Sequence, residues 1–177
     1  AWSRSLELKR ARPCAPLIEK DQISDVLSQY EPKLLSSYSS LMRAKLGLMT
    51  EQDGDRQLLG ELLAIMKMDK RDYTNTWRLL ADYHDESFAV TDQAFIDNFV
   101  SRDIISTWFS KYKERLTLDG SVARAERSAL MKQRSPKYIL RNYLAQEAIE
   151  AAEKGDYSKV ENLFKALKNP FDEQAEY

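Results

Sequence analysis

The sequence predicts an all-α protein, an irregular bundle of eight or nine helices. Apolar residues recur at the 3.6-residue helical period in one stretch after another, and no segment sustains the period-two alternation of a half-buried strand. Turn-formers are scarce, with five glycines and five prolines in 177 residues, so the helices should be long and the punctuation between them sparse.

The elements follow from the pattern in chain order. Asp21 begins a helical face with Ile23, Val26, Leu27 and Tyr30, and Pro32 is expected to interrupt it, because proline lacks the amide donor and clashes with the preceding turn. A second helix carries Leu34, Leu35, Tyr38, Leu41, Met42 and Leu46 and ends at Gly47. Thr50 to Gly54 reads as a polar loop. Helical period resumes at Asp55 with Leu58, Leu59, Leu62, Leu63 and Met66. Asp72 caps a helix bearing Tyr73, Trp77 and Leu80, since its carboxylate can accept from amides of the first turn. His84 to Val90 reads as a loop. Thr91 caps a helix with Phe95, Ile96 and Phe99, and Ile104, Ile105, Trp108, Phe109 and Tyr112 continue a helical face to Leu118. Asp119-Gly120 is a turn before a more polar helix, Ser121 to Arg134, whose apolar positions are Val122, Leu130 and Met131. Ser135 and Pro136 read as the cap and first position of the next helix, with Tyr138, Ile139, Tyr143, Leu144 and Ile149 on its apolar face. Gly155 stops that helix. Asp156 or Ser158 caps the last one, which carries Val160, Leu163, Phe164 and Leu167 before Asn169-Pro170 ends it.

Composition narrows the function classes. The chain is 43% hydrophobic and 31% charged, enough for one domain with a real core. A net charge of −1 and an isoelectric point near 6.0 leave no electrostatic footprint for nucleic acid. The basic clusters Lys67-Lys70-Arg71 and Lys111-Lys113-Arg115 are interleaved with acids and apolar residues and read as solvated helix faces. A single cysteine, Cys14, excludes an internal disulfide framework and suits a reducing compartment. No apolar run approaches the length of a membrane span.

Candidate chemistry is thin. His84 lies among Asp82, Asp85 and Glu86, but one histidine among loop acids lacks the three converging ligands of a metal site, so it reads as an exposed loop histidine. The acids Asp82, Asp85, Glu86 and Asp92 do not follow the spacing of a calcium loop. Cys14 has no histidine near it in sequence. Asp72, Tyr73, Asn75 and Arg78 form the most suggestive polar set, read first as a cap and helix anchor, and Arg141-Asn142 reads as a polar pair tying helices together. The aromatics Trp77, Phe88, Phe95, Phe99, Trp108, Phe109, Tyr112, Tyr138, Tyr143 and Phe164 read as core anchors. No catalytic, nucleotide-binding or metal-ligating residue is assigned. The Ala148-Ile149-x-x-Ala152-x-x-Gly155-Asp156-Tyr157 turn has the sound of a tetratricopeptide repeat, without a second copy.

Four segments carry a resemblance: LMRAKLGL at Leu41 to Leu48, DYTNTWRLL at Asp72 to Leu80, WFSKYKER at Trp108 to Arg115, and the run from Ser135 through GDY to NPFDEQ-x-EY at Tyr177. In wording, order and spacing they resemble the C-terminal region of the selenoprotein O (SelO/YdiU) family of pseudokinase-fold protein adenylyltransferases, with coverage from about Leu17 onward. Ser135 stands where that family usually has Asn, and both residues cap helices. Residues Ala1 to Ala15 do not match the family's helix at this place, so they form a divergent or poorly ordered segment ahead of a helical region spanning 16–177.

The resemblance implies a parent protein that transfers AMP from ATP, with magnesium or manganese, to Ser, Thr or Tyr hydroxyls of other proteins under redox stress. It implies further that this chain is only the C-terminal part. The family's phosphate-contacting loop, paired lysine and glutamate, catalytic-loop asparagine and DFG-type aspartate would lie upstream, and its terminal cysteine or selenocysteine beyond Tyr177, so Cys14 does not inherit that role. ATP and the metal then belong to the full-length protein, and the chain alone is expected to be inactive. Its expected partners are the missing kinase-like lobe, the parent's protein substrates and, through uncovered apolar surface, a second copy of itself; nucleic acid and membrane are not expected. The location would be cytoplasmic in a bacterium and mitochondrial in an animal. The alternative is a stand-alone helical interaction module without catalysis.

Overall fold

A computed structural model describes residues 20–88 and 90–174. The segment Ala1 to Ala15, with Cys14, read from the sequence as divergent or poorly ordered, lies outside the described residues. Among the described residues there are eight α-helices, one short 3₁₀ turn and no strand. In order they are α1 (Lys20–Lys45), α2 (Asp55–Met68), α3 (Tyr73–Tyr83), the 3₁₀ turn (Glu86–Phe88), α4 (Asp92–Ile96), α5 (Arg102–Thr117), α6 (Arg124–Lys132), α7 (Asn142–Ala152) and α8 (Ser158–Lys168). The all-α class is as the sequence predicts.

The chain divides into two compact units, residues 1–40 and 41–177. In the first, the described part is the N-terminal portion of α1. Its Val26, Tyr30, Leu34 and Tyr38 recur every four residues and are all exposed, at 70%, 61%, 52% and 47%, so they form an uncovered apolar stripe. The expected interruption at Pro32 does not occur: α1 is continuous through it over 26 residues. Proline costs a helix one backbone bond and a steric clash, about 3 kcal/mol. Helical turns on both sides absorb that cost here.

In the second unit, the core gathers Met42 from the end of α1 and Leu46 just beyond it, Leu58, Leu62 and Ile65 from α2, Trp77 and Leu80 from α3, Phe95 and Phe99, four residues of α5, and Met131 of α6. Helix α2 packs on α5, α3 on α6, and α7 on α8. Aromatic rings fill the centre. Phe95 stacks on Phe109 with centroids 4.8 Å apart, and Trp108 lies nearly parallel to Tyr112 at 5.2 Å. The Trp108 indole N–H donates to the Leu58 carbonyl at 2.8 Å, which joins α5 to α2.

The punctuation is largely as read. Asp72 and Thr91 cap α3 and α4 by accepting from Asn75 and Ala94 amides, and the loop at Thr50 to Gly54 and the turn at Gly120 stand. Gly155 adopts φ +86° after α7. The α8 start differs slightly, because Asp156 accepts the Ser158 amide at 3.0 Å while Tyr157 occupies the N-cap position.

The larger correction is at Ser135. It caps no helix, and residues 135–141 are non-helical, with α7 beginning only at Asn142. The amides of Lys137 and Tyr138 donate instead to the Pro170 carbonyl, a partner far along the chain that local helix period cannot reveal. Tyr143 and Ile149 of α7, Val160 and Phe164 of α8, and Phe88 are exposed rather than core.

Candidate functional site

Two buried polar junctions organise the second unit, and each joins segments distant in sequence. The first centres on Asp119, whose side chain is fully buried. One carboxylate oxygen accepts from the Met49 amide at 3.0 Å and from Arg127 at 3.1 Å. The other accepts from the Thr50 amide at 3.2 Å, the Thr50 hydroxyl at 2.7 Å and Arg115 at 3.0 Å. Burial pushes its pKa up, but these hydrogen bonds and the two guanidinium groups outweigh it and hold the carboxyl well below the usual range. Arg115 also grips Asp55 in a two-pronged pair, 2.6 and 3.2 Å, which raises the guanidinium pKa further.

Arg127 reaches past Asp119 to the Gly47 carbonyl. Gly47 sits at φ +69°, and a Cβ there would come 2.6 Å from the Met131 sulfur, so both conformation and space require glycine. Nearby, the Tyr112 hydroxyl donates to the Leu46 carbonyl at 2.8 Å. It has one proton, so its 2.8 Å contact with His84 makes the His84 Nε2–H the donor. His84 is therefore not the exposed loop histidine the sequence suggested. It is 3% exposed, and burial, with the nearby Arg127 and Arg124, lowers its pKa to about 3. Arg115 is likewise buried rather than part of a solvated basic face, while Lys111 and Lys113 pair at the surface with Glu61 and Asp92.

The second junction centres on Arg78 of α3. Its guanidinium donates to the Ser135 and Phe171 carbonyls, each at 3.2 Å, and pairs with Glu173. Lys137 pairs with the same Glu173, and Gln174 donates to the Ala166 and Asn169 carbonyls. Beside them Arg141 pairs with the capping carboxylate of Asp72 at 2.6 Å. The anchoring roles expected of Asp72, Arg78 and Arg141 are what the geometry shows, whereas Asn75 is exposed and joins through its backbone amide, which donates to Asp72. Lys45, at the end of α1, reaches the Ser135 hydroxyl at 3.5 Å.

All four recognisable segments thus meet here. LMRAKLGL supplies Lys45, Leu46 and Gly47; DYTNTWRLL supplies Asp72 and Arg78; WFSKYKER supplies Tyr112 and Arg115; and the last run supplies Ser135, Arg141 and Glu173. A family model described as "Protein adenylyltransferase SelO" matches residues 5–168. The chain belongs to the SelO family. It is similar to proteins named "Protein nucleotidyltransferase YdiU" from Vibrio vulnificus (strain CMCP6) and Aliivibrio salmonicida (strain LFI1238). Each is 43% identical, over 171 and 169 residues, and each match covers 94% of this chain but only 34% and 33% of the relative. This SelO chain spans about a third of the length of the curated relatives it matches.

Sequence reasoning missed Asp119 and Arg127 as junction residues. Asp119 looked like a turn former because a glycine follows it, and Arg127 like a surface charge on a polar helix. The one available signal was the density of arginines and acids around a helix with few apolar positions. Among the described residues, no group of three or more His, Cys, Asp or Glu side chains is placed to hold a metal ion. No helix of the described residues is long and apolar enough to cross a membrane.

Proposed function

We propose that this chain is the C-terminal helical region of a protein adenylyltransferase, and that it serves that enzyme as scaffold rather than as catalyst. The family match carries the activity: members are described as adenylyltransferases, and the YdiU relatives as protein nucleotidyltransferases. In such a reaction a Ser, Thr or Tyr hydroxyl attacks the α-phosphorus of ATP. The new P–O bond carries AMP, the bond to pyrophosphate breaks, and the hydroxyl proton leaves to a base.

On this reading ATP and its magnesium or manganese are held outside this chain, and the described residues support that. The described helices start without a glycine-rich phosphate cradle, and the buried carboxylates Asp55 and Asp119 are already held by Arg115 and Arg127. Both ligands are assigned to the part of the longer relatives that this chain does not span. The exposed apolar stripe of α1 supports a packing role against a kinase-like lobe, and in its absence the same stripe favours self-association. The compartment proposed is the cytoplasm, as suits a bacterial YdiU-like protein.

Two measurements test this. The complete gene product, given ATP labelled on the α-phosphate with magnesium, should transfer label to protein hydroxyls; transfer of γ-label alone would overturn the nucleotidyl assignment. Calorimetry of the 177-residue chain with ATP and magnesium should show no binding, and a saturable micromolar isotherm would place a nucleotide site in this region after all.

A second reading, a stand-alone interaction module, is favoured by the exposed Tyr143, Ile149, Val160 and Phe164 of the α7–α8 pair. The reading frame upstream of Ala1 decides between them. Kinase-like lysine, glutamate and DFG motifs there support the enzyme, and a start codon beside Ala1 supports the module.

A further inference from the structure

The first two-thirds of α1 has little to hold it as a helix. From Ile23 to Leu41 no side chain is buried, and burial along the helix begins only at Met42. Its side chains bond within the helix: the Ser28 hydroxyl donates to the Asp25 carbonyl at 2.7 Å, and Lys33 Nζ donates to the Gln29 side-chain oxygen at 3.2 Å. The local sequence adds little support. Pro32 removes a backbone bond, six residues between Lys20 and Ser40 are serines, and no alanine occurs from Lys20 to Arg43. Pro32 leaves roughly a dozen residues ahead of it, and isolated helices shorter than ~12–15 residues are marginal in water. Such helices persist chiefly by packing an amphipathic face.

That face is present. Val26, Tyr30, Leu34 and Tyr38 stand along one side of α1 and are left uncovered among the described residues. Covering their exposed parts would remove about 500 Å² of helix surface, or about 1,000 Å² with the surface opposite. This is within the ~600–1,500 Å² of an interface between domains of one chain. It falls below the ~1,200–2,000 Å² of a stable complex between separate molecules, so a second copy is the poorer occupant. A tethered occupant needs less area, because the linkage raises its effective concentration to the millimolar range. The family match, residues 5–168, runs through α1, and about two-thirds of the YdiU relative's length lies outside the matched region.

We infer that residues 20–40 are a conditional helix, which winds up as the stripe from Val26 to Tyr38 docks on an apolar surface of the upstream, kinase-like part of the same SelO protein. This rests on the reading of the chain as one region of that longer enzyme. Folding and docking of α1 are then one equilibrium. A segment that orders on binding is held less tightly for the area it covers, so this junction opens more readily than a rigid interface of equal size.

Hydrogen exchange tests this on peptides covering residues 23–40, in the complete gene product and in the 177-residue chain diluted until light scattering shows a monomer. These amides should exchange at least about 100-fold faster in the 177-residue chain, while the core helices after residue 41 are protected alike in both. In the complete gene product Leu34→Asp, on the stripe, should speed their exchange, and Ser36→Asp, on the opposite side of the helix, should not. Equal protection of residues 23–40 in the monomeric 177-residue chain overturns the inference, because α1 would then be self-sufficient. Fast exchange in both proteins also overturns it, as does protection of the complete product only when it dimerises, or full protection in Leu34→Asp. Transfer of α-labelled AMP is a separate readout: protected amides without transfer would sink the adenylyl reading alone, and transfer without protection would sink the docking alone.

Discussion

Replacing Asp119 by asparagine tests whether the first junction holds the fold together. Asparagine has the same shape but exchanges one carboxylate oxygen for an amide NH₂ and removes the charge. In the native chain all five donors around Asp119 are satisfied by its two oxygens. In Asp119→Asn an NH₂ must face either Met49 N–H and Arg127, or Thr50 and Arg115. Arg115 keeps Asp55, but Arg127, whose side chain is only 5% exposed, loses its sole carboxylate and retains just the Gly47 carbonyl. Breaking a buried ion pair from one side costs about 3–5 kcal/mol, and an orphaned buried amide adds roughly 1–3 kcal/mol. The two overlap in one network and do not simply add, so a loss of about 3–5 kcal/mol is expected. For a chain of this size that lowers the melting midpoint by roughly 10 °C. Urea unfolding followed by circular dichroism at 222 nm should show a lower midpoint with an unchanged slope. The pH dependence has a definite sign. The folded pKa of Asp119 is depressed, so its stabilisation is complete above the unfolded value of about 3.9 and fades as pH falls through the folded one. The gap between wild type and variant should therefore shrink below about pH 4. A loss under about 1 kcal/mol at pH 7 would refute the reasoning, because it would mean that Arg127 finds solvent or another acceptor at little cost.

Gly47→Ala should destabilise by at least about 1–3 kcal/mol from its left-handed backbone alone, more if the Met131 sulfur cannot retreat from the 2.6 Å contact. Gly60→Ala, mid-helix in α2 with open space around its Cβ, should stabilise by about 0.5–1 kcal/mol in the same thermal-unfolding series. His84 binds its proton in the unfolded chain near pH 6.5 but only near pH 3 when folded, so acidification favours unfolding across that window. Between pH 7 and pH 5 this amounts to on the order of 2 kcal/mol, and His84→Gln should flatten the corresponding fall in urea midpoint.

How much of this was legible in the sequence depends on the range of the interaction concerned. Helix period found Leu58, Leu62, Trp77, Trp108 and Tyr112 as core residues, because a buried helix face is written into neighbouring turns. Caps such as Asp72 and Thr91 were equally local. Ser135 failed for the opposite reason. Ser-Pro before an apolar run is a sound helix start in isolation, but here the amides of Lys137 and Tyr138 bond to Pro170, and the hydroxyl of Ser135 faces Lys45 at a separation of 90 residues. His84 failed similarly, since its acidic neighbours Asp82 and Asp85 pair with Lys132 while the ring turns in to Tyr112, 28 residues on. Pro32 was read by its intrinsic penalty, which the turns on either side of it override.

The same distinction explains why this region is recognisable by wording at all. An apolar core position tolerates several residues of similar volume, so core packing alone leaves little that identifies a family. A buried polar group tolerates few, because removing either partner strands the other. Arg78 and Glu173 are 95 residues apart, and Arg115 and Asp55 are 60 apart, yet each buried guanidinium relies on its distant carboxylate to make its charge acceptable inside the protein. The segments LMRAKLGL, DYTNTWRLL, WFSKYKER and NPFDEQ contain one or more members of these junctions. These members close hydrogen bonds between segments distant in sequence, so the recognisable wording coincides here with the contacts that lock those segments together.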